Sequence, residues 1–197
     1  MNARIAELVG KIRVMEEELE VELALARADL HMSIDGTRIE FERAVAERHR
    51  ALKKRLLRYV FQAAPLIALT APVIYALILP LALLDIFITL YQAVCFPVYG
   101  IAKVRRRDYL VFDRRYLGYL NLLEKINCAY CSYGNGLIGY VREIAARTEQ
   151  YWCPIKHARK LAGAHPRYSH FVDFGDAEGY RKELETLREE LRKDRAA

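Results

Sequence analysis

The chain carries one long apolar block, residues 60–102, with basic clusters on both sides of it at residues 53–58 and 103–107. A single helical crossing of a bilayer needs about 20 apolar residues, and the block is about twice that length. Asp85 is its only formally charged residue. Because Lys/Arg-rich flanks stay in the cytoplasm, a block with two such flanks is expected to enter the membrane and return. This predicts a helical hairpin in the cell inner membrane with both termini cytoplasmic.

Charged residues make up 28% of the chain and hydrophobic residues 53%, because the charges crowd the two ends. A net charge of +6 can indicate a nucleic-acid partner. Here the basic residues gather beside the apolar block, where anionic lipid headgroups are the simpler partner. We therefore expect a lipid bilayer as partner and no nucleic acid.

The predicted fold is all-α and has four segments. They are an amphipathic helical hairpin arm, the membrane hairpin, a Tyr/Arg-rich interfacial helix with a cysteine-containing unit, and a loop followed by a charged C-terminal helix. In residue numbers these segments are 1–59, 60–102, 103–163 and 164–197. The charged C-terminal helix is expected over about 177–193, with an apolar stripe formed by Tyr180, Leu184, Leu187 and Leu191.

The arm begins with a predicted amphipathic helix over residues 3–32, in which apolar residues recur at three-four spacing. A turn is expected at Asp35-Gly36, and Thr37 with Glu40 fits a capping box that would start a second helix. Two amphipathic helices joined by a short turn pair antiparallel. The arm is predicted either to oligomerise or dock a partner, or only to cover its own chain. His49, on the seam, is expected to be a packed residue rather than a ligand.

Within the apolar block, Pro80 lies near the midpoint and predicts helices over about 61–79 and 81–100. The residues around Pro80 include no polar loop, so a shallower wedge that never reaches the far side remains an alternative. Asp85 is costly in hydrocarbon and is expected to find a partner, a protonated state or an interfacial position. A proton or ion site is the functional alternative for this residue.

Tyrosine and arginine alternate after the apolar block and suit the headgroup layer, because each has an apolar body and a polar tip. The spacing from Tyr109 to Tyr130 predicts a helix that leaves the membrane surface. The predicted membrane-interface residues are Arg105, Arg106, Arg107, Tyr109, Arg114 and Arg115.

The pattern C-x2-C-x21-C-x3-H, formed by Cys128, Cys131, Cys153 and His157, has the ligands of a tetrahedral Cys3His site. Gly134-Asn135-Gly136 is expected to break the chain and fold it back. One bound metal ion is predicted, with structural zinc favoured over iron or an iron–sulfur cluster. A dithiol redox pair and unliganded buried cysteines remain alternatives.

Pro154 suits the first position of a further helix, which would place Cys153 at an N-cap where the helix dipole favours a thiolate. The run NCAYCSYGNGLIGYVREIAARTEQYWCPIKHARK, residues 127–160, resembles a segment of small bacterial membrane proteins of uncharacterised function. The resemblance implies that this block acts as a unit and implies no activity.

The sequence contains no Gly-rich phosphate loop, nucleophile elbow or paired-carboxylate motif, so we lean against an enzyme. The predicted function is a membrane-anchored, metal-binding accessory or scaffold protein that oligomerises or docks a partner at the cytoplasmic membrane face. One alternative is an iron or iron–sulfur redox carrier subunit of a membrane complex. The other is a membrane-shaping hairpin protein with structural zinc.

Overall fold

The structure, a computed structural model, describes residues 3–28, 32–35, 38–41, 43–55 and 65–193. Most described residues are helical, which confirms the all-α class at a coarse level, although one short antiparallel strand pair is present. The helices are α1 Ala3–Ala28, α2 Arg43–Ala51, α3 Pro65–Ala76, α4 Ile78–Tyr99, α5 Leu122–Trp152 and α6 Ala177–Lys193, and the strands are β1 Met32–Asp35 and β2 Arg38–Phe41.

The first helix of the arm is present as α1, but the predicted start of the second helix is wrong. The backbone of Arg38–Phe41 pairs with Met32–Asp35 as a strand, and α2 begins only at Arg43. A β-branched and an aromatic residue at alternate positions, Ile39 and Phe41, suit a strand better than a first helical turn. The predicted turn at Gly36, the capping Thr37 and the first residues of the apolar block, 60–64, lie outside the described residues.

The apolar block forms α3 and α4, which are separated at Leu77, three residues before the predicted break at Pro80. Pro80 is the third residue of α4, where a missing N–H removes no intrahelical hydrogen bond. The helical segment Leu69–Tyr99 has 31 residues, and its most apolar 18-residue window has a mean hydropathy of 2.5. In the part of the chain that the structure describes, it is the one segment long and apolar enough to cross a membrane.

A glycine turn ends α4 and sends the chain back along the same helix. The N–H of Gly100 donates to Pro97 O at 3.3 Å and the N–H of Ile101 donates to Phe96 O at 2.9 Å, which is the Schellman arrangement. Gly100 has φ +73°, a conformation that costs least without a Cβ. Residues 101–109, which we call the return segment, follow this turn.

The helix predicted from Tyr109 onward is wrong in its first part, since α5 begins only at Leu122. A reciprocal capping box fixes that start: the Glu124 N–H donates to Asn121 Oδ1 at 3.0 Å, and the Asn121 N–H donates to Glu124 Oε2 at 2.8 Å. Such a box satisfies two backbone donors that a helix start leaves free. Between Tyr109 and Asn121 the chain makes one short 3₁₀ turn, Asp113–Tyr116, and a further 3₁₀ turn, Arg106–Asp108, precedes Tyr109.

The turn predicted at Gly134-Asn135-Gly136 is also wrong, because α5 passes through these residues without interruption. A glycine inside a helix costs about 1 kcal/mol relative to alanine. The helix continues past this weak point into a stretch where Leu137, Tyr140 and Ile144 are fully buried, and their burial outweighs that cost.

Beyond α5, Cys153 and Pro154 do not begin a helix. The chain is extended and forms a parallel bridge in which the Lys156 N–H donates to Val172 O at 2.7 Å and the Val172 N–H donates to Pro154 O at 2.9 Å. The loop then leads to α6, which has the predicted bounds. Asp176, the residue before its first turn, caps the helix, since its Oδ1 accepts the Gly179 N–H at 2.8 Å.

The chain divides into two compact units. The first unit comprises Met1–Val9, Pro80–Tyr109 and Gly136–Ala197, and the second comprises Gly10–Leu79 and Leu110–Asn135. The first unit contains most of the buried apolar side chains. Its largest are Phe96, Ile101, Leu137, Tyr140, Ile144, Phe171, Leu187 and Leu191.

Candidate membrane-binding site

Helix α4 buries polar side chains and exposes apolar ones. Gln92 is buried, the Asp85 side chain is 14% exposed, and the apolar side chains opposite them face outward. A helix on the surface of a water-soluble protein has the reverse arrangement. We call six of the exposed apolar side chains of α4 the outer face, because they lie opposite Asp85 and Gln92: Leu83, Ile86, Phe87, Leu90, Val94 and Val98.

Gln92 joins α4 to both of its neighbours in the first unit. Its Oε1 accepts the Val104 N–H at 3.0 Å, and its Nε2 donates to Val104 O at 3.3 Å and to the Tyr140 hydroxyl. The side-chain amide of Gln92 therefore satisfies both the N–H and the C=O of Val104, which is buried. This contact holds the return segment against α4 and joins both to α5.

Asp85, the one charged residue of the apolar block, has a partner. Arg106 in the return segment donates from Nε to Asp85 Oδ1 at 3.2 Å and from Nη2 to Oδ2 at 2.6 Å. A two-pronged guanidinium–carboxylate pair is the strong form of this interaction. Of the three outcomes expected for Asp85, the structure shows a partner, and the ion-site alternative gains no support.

An ionic cluster lies behind α4 in the first unit. Glu143 Oε1 accepts from Arg147 Nε at 2.8 Å and from Arg167 Nε at 3.1 Å. Arg147 also donates to Ala102 O in the return segment at 2.7 Å. All three side chains are at most 21% exposed. Their charges are therefore largely buried, and the two arginines share the Glu143 carboxylate.

Other charges of the return segment face solvent. The Arg105 and Arg107 side chains are 70% and 80% exposed, and Asp108 lies near both. Tyr109 packs beside Gly139 of α5. Burial, reinforced by the Glu143 carboxylate, raises the pKa of the Tyr109 phenol above its ordinary value.

In the second unit, α3 has the same reversed polarity. The Tyr75 hydroxyl donates to Asn127 Oδ1, and the Tyr130 hydroxyl donates to Ile74 O at 2.6 Å. The two tyrosine rings meet edge to face with centroids 5.6 Å apart. The exposed large apolar side chains of α3 are Leu66, Leu69, Val73 and Ile74.

The remaining predicted interface residues also belong to the second unit. Arg115 lies over the Tyr116 ring, 4.8 Å from its centroid. Arg114 lines a cavity of about 290 Å³. His49 lines it too, in edge-to-face contact with Phe41, as expected for a packed residue. The Nδ1 of His49 has no hydrogen-bond partner among the described residues.

The structure does not bring the predicted metal ligands together. Cys128 and Cys131 lie in the first half of α5, Cys153 follows its last residue, and His157 stacks on Tyr168 in the loop beyond. The residues between Cys131 and Cys153 are helical throughout, with no turn that would fold the chain back. The described residues, which include all four, contain no group of three or more His, Cys, Asp or Glu side chains able to hold a metal ion.

Comparisons with protein-family models, with curated proteins and with solved structures gave no match to this chain. The resemblance of residues 127–160 to a bacterial membrane-protein segment stays a prediction.

Sequence reasoning missed Gln92, although a signal for it exists. Asp85, Thr89 and Gln92 are polar residues at i, i+4 and i+7 in an otherwise apolar run, and this spacing places them on one helix face. A polar stripe on an apolar helix indicates the side that faces protein.

Proposed function

We propose that this protein is a membrane-anchored helical scaffold, held at the cytoplasmic face of the membrane and assembled through its N-terminal helix. The observation that carries the proposal is the reversed polarity of α4. An exposed face of leucine, phenylalanine and valine is unfavourable in water by about 25 cal/mol per Å², and hydrocarbon removes that cost. The basic residues on both sides of the apolar block support the cytoplasmic side.

The scaffold part of the proposal rests on α1. Leu8, Ile12, Met15 and Leu19 follow one stripe at four-three-four spacing, and their side chains are 45–58% exposed. This spacing matches the core positions of a coiled coil, in which a second helix covers such a stripe. We infer that the partner is α1 of a second copy.

A second candidate function is membrane shaping, which the one-sided apolar face of α4 favours. Side chains that enter one leaflet without matching volume in the other expand that leaflet. Conversion of large vesicles to tubules or small vesicles by the full-length protein, seen by electron microscopy, would support it. Vesicles of unchanged size at saturating protein would leave the scaffold role alone.

The metal-binding part of the predicted function has no supporting contact, and the redox-carrier alternative depends on the same residues. Both require α5 to break near Gly134–Gly136, so that Cys131 and Cys153 can approach each other. The metal centre is therefore kept as a sequence hypothesis with its own test.

Membrane anchoring is tested by flotation of the full-length protein with vesicles. Replacing Leu83, Phe87 and Leu90 with serine removes apolar contact worth about 1–2 kcal/mol per residue, so the partition coefficient into vesicles should fall at least 100-fold. A matched control replaces Lys182, Glu183 and Glu189, exposed residues of α6, with serine and should float like the wild type. Equal flotation of both variants would sink the anchoring proposal.

Assembly is tested with two charge pairs of identical spacing on α1. Ile12→Glu with Leu19→Glu places two carboxylates on the stripe and should shift detergent-solubilised protein to a smaller species. Val14→Glu with Val21→Glu places them off the stripe, at side chains that are equally exposed, and should leave assembly size unchanged. If neither pair changes the size, α1 is not the interface.

A further inference from the structure

We propose that α4 lies along the membrane plane with its outer face in the acyl chains of one anionic leaflet, and does not cross the bilayer. This inference rests on the proposed membrane anchoring and adds to it the depth, the orientation and the lipid partner. It selects the shallow wedge over the crossing hairpin for this helix, and it is consistent with both termini lying in the cytoplasm.

The polarity of α4 alone does not decide between the two orientations, because transmembrane helices also turn polar side chains toward protein. The decisive observation is which residues pack against the middle of the polar side of α4, opposite the outer face. Tyr91 bonds to Thr148 of α5 at 3.1 Å and Gln92 bonds to Tyr140. Those two α5 residues bracket the ionic pair of Glu143 and Arg147.

A crossing α4 would therefore carry this ionic pair, with Arg167, to the depth of the hydrocarbon. Arg142, on the exposed surface of α5 beside them, would also be taken from water. Charged side chains are strongly disfavoured there. With α4 in the membrane plane, all four charges stay on the water side while the outer face still reaches lipid.

Charge around α4 identifies the kind of lipid surface. The return segment begins at the end of α4 and is bonded along it at Val104 and Arg106. Its Lys103, Arg105 and Arg107 side chains are exposed, and basic groups at this level attract anionic headgroups. The outer face and these cations together match the surface of one anionic leaflet.

The test is the depth of single tryptophans in vesicles of phosphatidylcholine and phosphatidylglycerol. Trp152, the only tryptophan of the chain, is changed to phenylalanine, and a new tryptophan replaces Leu83, Leu90 or Val98 in turn. Phospholipids brominated near the headgroup or near the chain end then quench its fluorescence according to depth. Ala145→Trp, on the exposed surface of α5, is the matched control.

We expect similar, shallow depths at all three positions, about 5–10 Å below the headgroup level, and no quenching at residue 145. A crossing helix separates residues 83 and 98 by about 22 Å along its axis, so unequal depths, or a position 90 much deeper than its neighbours, would overturn the inference. Anionic vesicles should also bind Arg105→Gln with Arg107→Gln more weakly, by about fivefold per charge.

Two further results separate this inference from the anchoring proposal. Protein that floats with vesicles but shows no quenching at any outer-face position keeps an anchor elsewhere and refutes the placement of α4. In that case chemical cross-linking at Leu90→Cys would show whether a second copy covers the face. Protein that does not float at all refutes membrane anchoring itself.

Discussion

Exchanging leucine and glutamine at two neighbouring positions of α4 should have opposite consequences. Gln92→Leu leaves the Val104 N–H and the Tyr140 hydroxyl without their hydrogen-bond partner. Val104 and Tyr140 are both buried, at most 5% exposed, so water does not replace that partner. Each buried unsatisfied group costs about 1–3 kcal/mol, and the added leucine offsets part of the sum. A net loss of about 3 kcal/mol raises the open population of the return segment about 100-fold.

Limited trypsin digestion of vesicle-bound protein measures this opening, because Lys103 and Arg105 become cleavable when the return segment leaves α4. Cleavage of Gln92→Leu should be about 100-fold faster than that of the wild type if opening precedes cleavage. Leu90→Gln, two residues away on the outer face, should leave the cleavage rate unchanged and weaken vesicle binding about tenfold. If Leu90→Gln were cleaved rapidly and Gln92→Leu were cleaved as slowly as the wild type, the two faces of α4 would be assigned the wrong way round.

Three further outcomes are expected. Gly100→Ala should lower the free energy of unfolding by about 1 kcal/mol in a denaturant titration, since its φ of +73° strains a residue with a Cβ, whereas Gly100→Asn should cost less. The hydrogen bond and charge of Lys156 lower the pKa of Asp173, so Lys156→Met should raise that pKa in an NMR titration. In the wild type, the stabilisation of the folded state by the Asp173 carboxylate is present above the unfolded-state pKa and is lost as pH falls through the folded-state pKa. The variant should therefore be less stable than the wild type above acidic pH and equally stable at acidic pH. The Cys3His hypothesis predicts one zinc or iron ion per chain by mass spectrometry, lost in Cys128→Ser, and a ratio of zero in gently purified wild type would end it.

Sequence periodicity predicted the helices whose apolar residues form one stripe. The stripe of α6 and its charged exterior gave both of its ends, and α1 was found from its three-four spacing. In each of these helices, apolar residues recur in the sequence at helical spacing and form one stripe. The apolar block was found for the same kind of reason, since no other part of the chain is so long without charge.

The wrong predictions share a cause, which is that a local signal lost to contacts made elsewhere. Gly134 and Gly136 weaken a helix in isolation, but the buried face that follows them holds α5 together. Thr37 and Glu40 fit a helix start, but the backbone of Arg38–Phe41 is paired with Met32–Asp35 instead. Tertiary context of this kind overrides propensities of about 1 kcal/mol.

The metal hypothesis failed to gain support at one identifiable step. The four ligands have suitable chemistry, but spacing along the chain becomes proximity only if the intervening residues turn. A helix converts the same spacing into distance, at about 1.5 Å for every residue. The choice between a turn and a helix at residues 134–136 therefore decided whether Cys131 and Cys153 were neighbours.

The contacts of Asp85 indicate a structural role in an ion pair, whereas an isolated carboxylate in an apolar helix suggests a proton or ion site. A lone aspartate in a crossing helix would face hydrocarbon or require a proton. Here Arg106 arrives from the return segment only because Gly100 reverses the chain and Gln92 holds Val104 in place. The carboxylate, the amide and the glycine therefore act together to fold a basic segment onto one side of an apolar helix. A helix built in this way has one face left for lipid, and the Glu143–Arg147 ion pair behind its other face is the physical reason to expect that it lies on the membrane instead of passing through it.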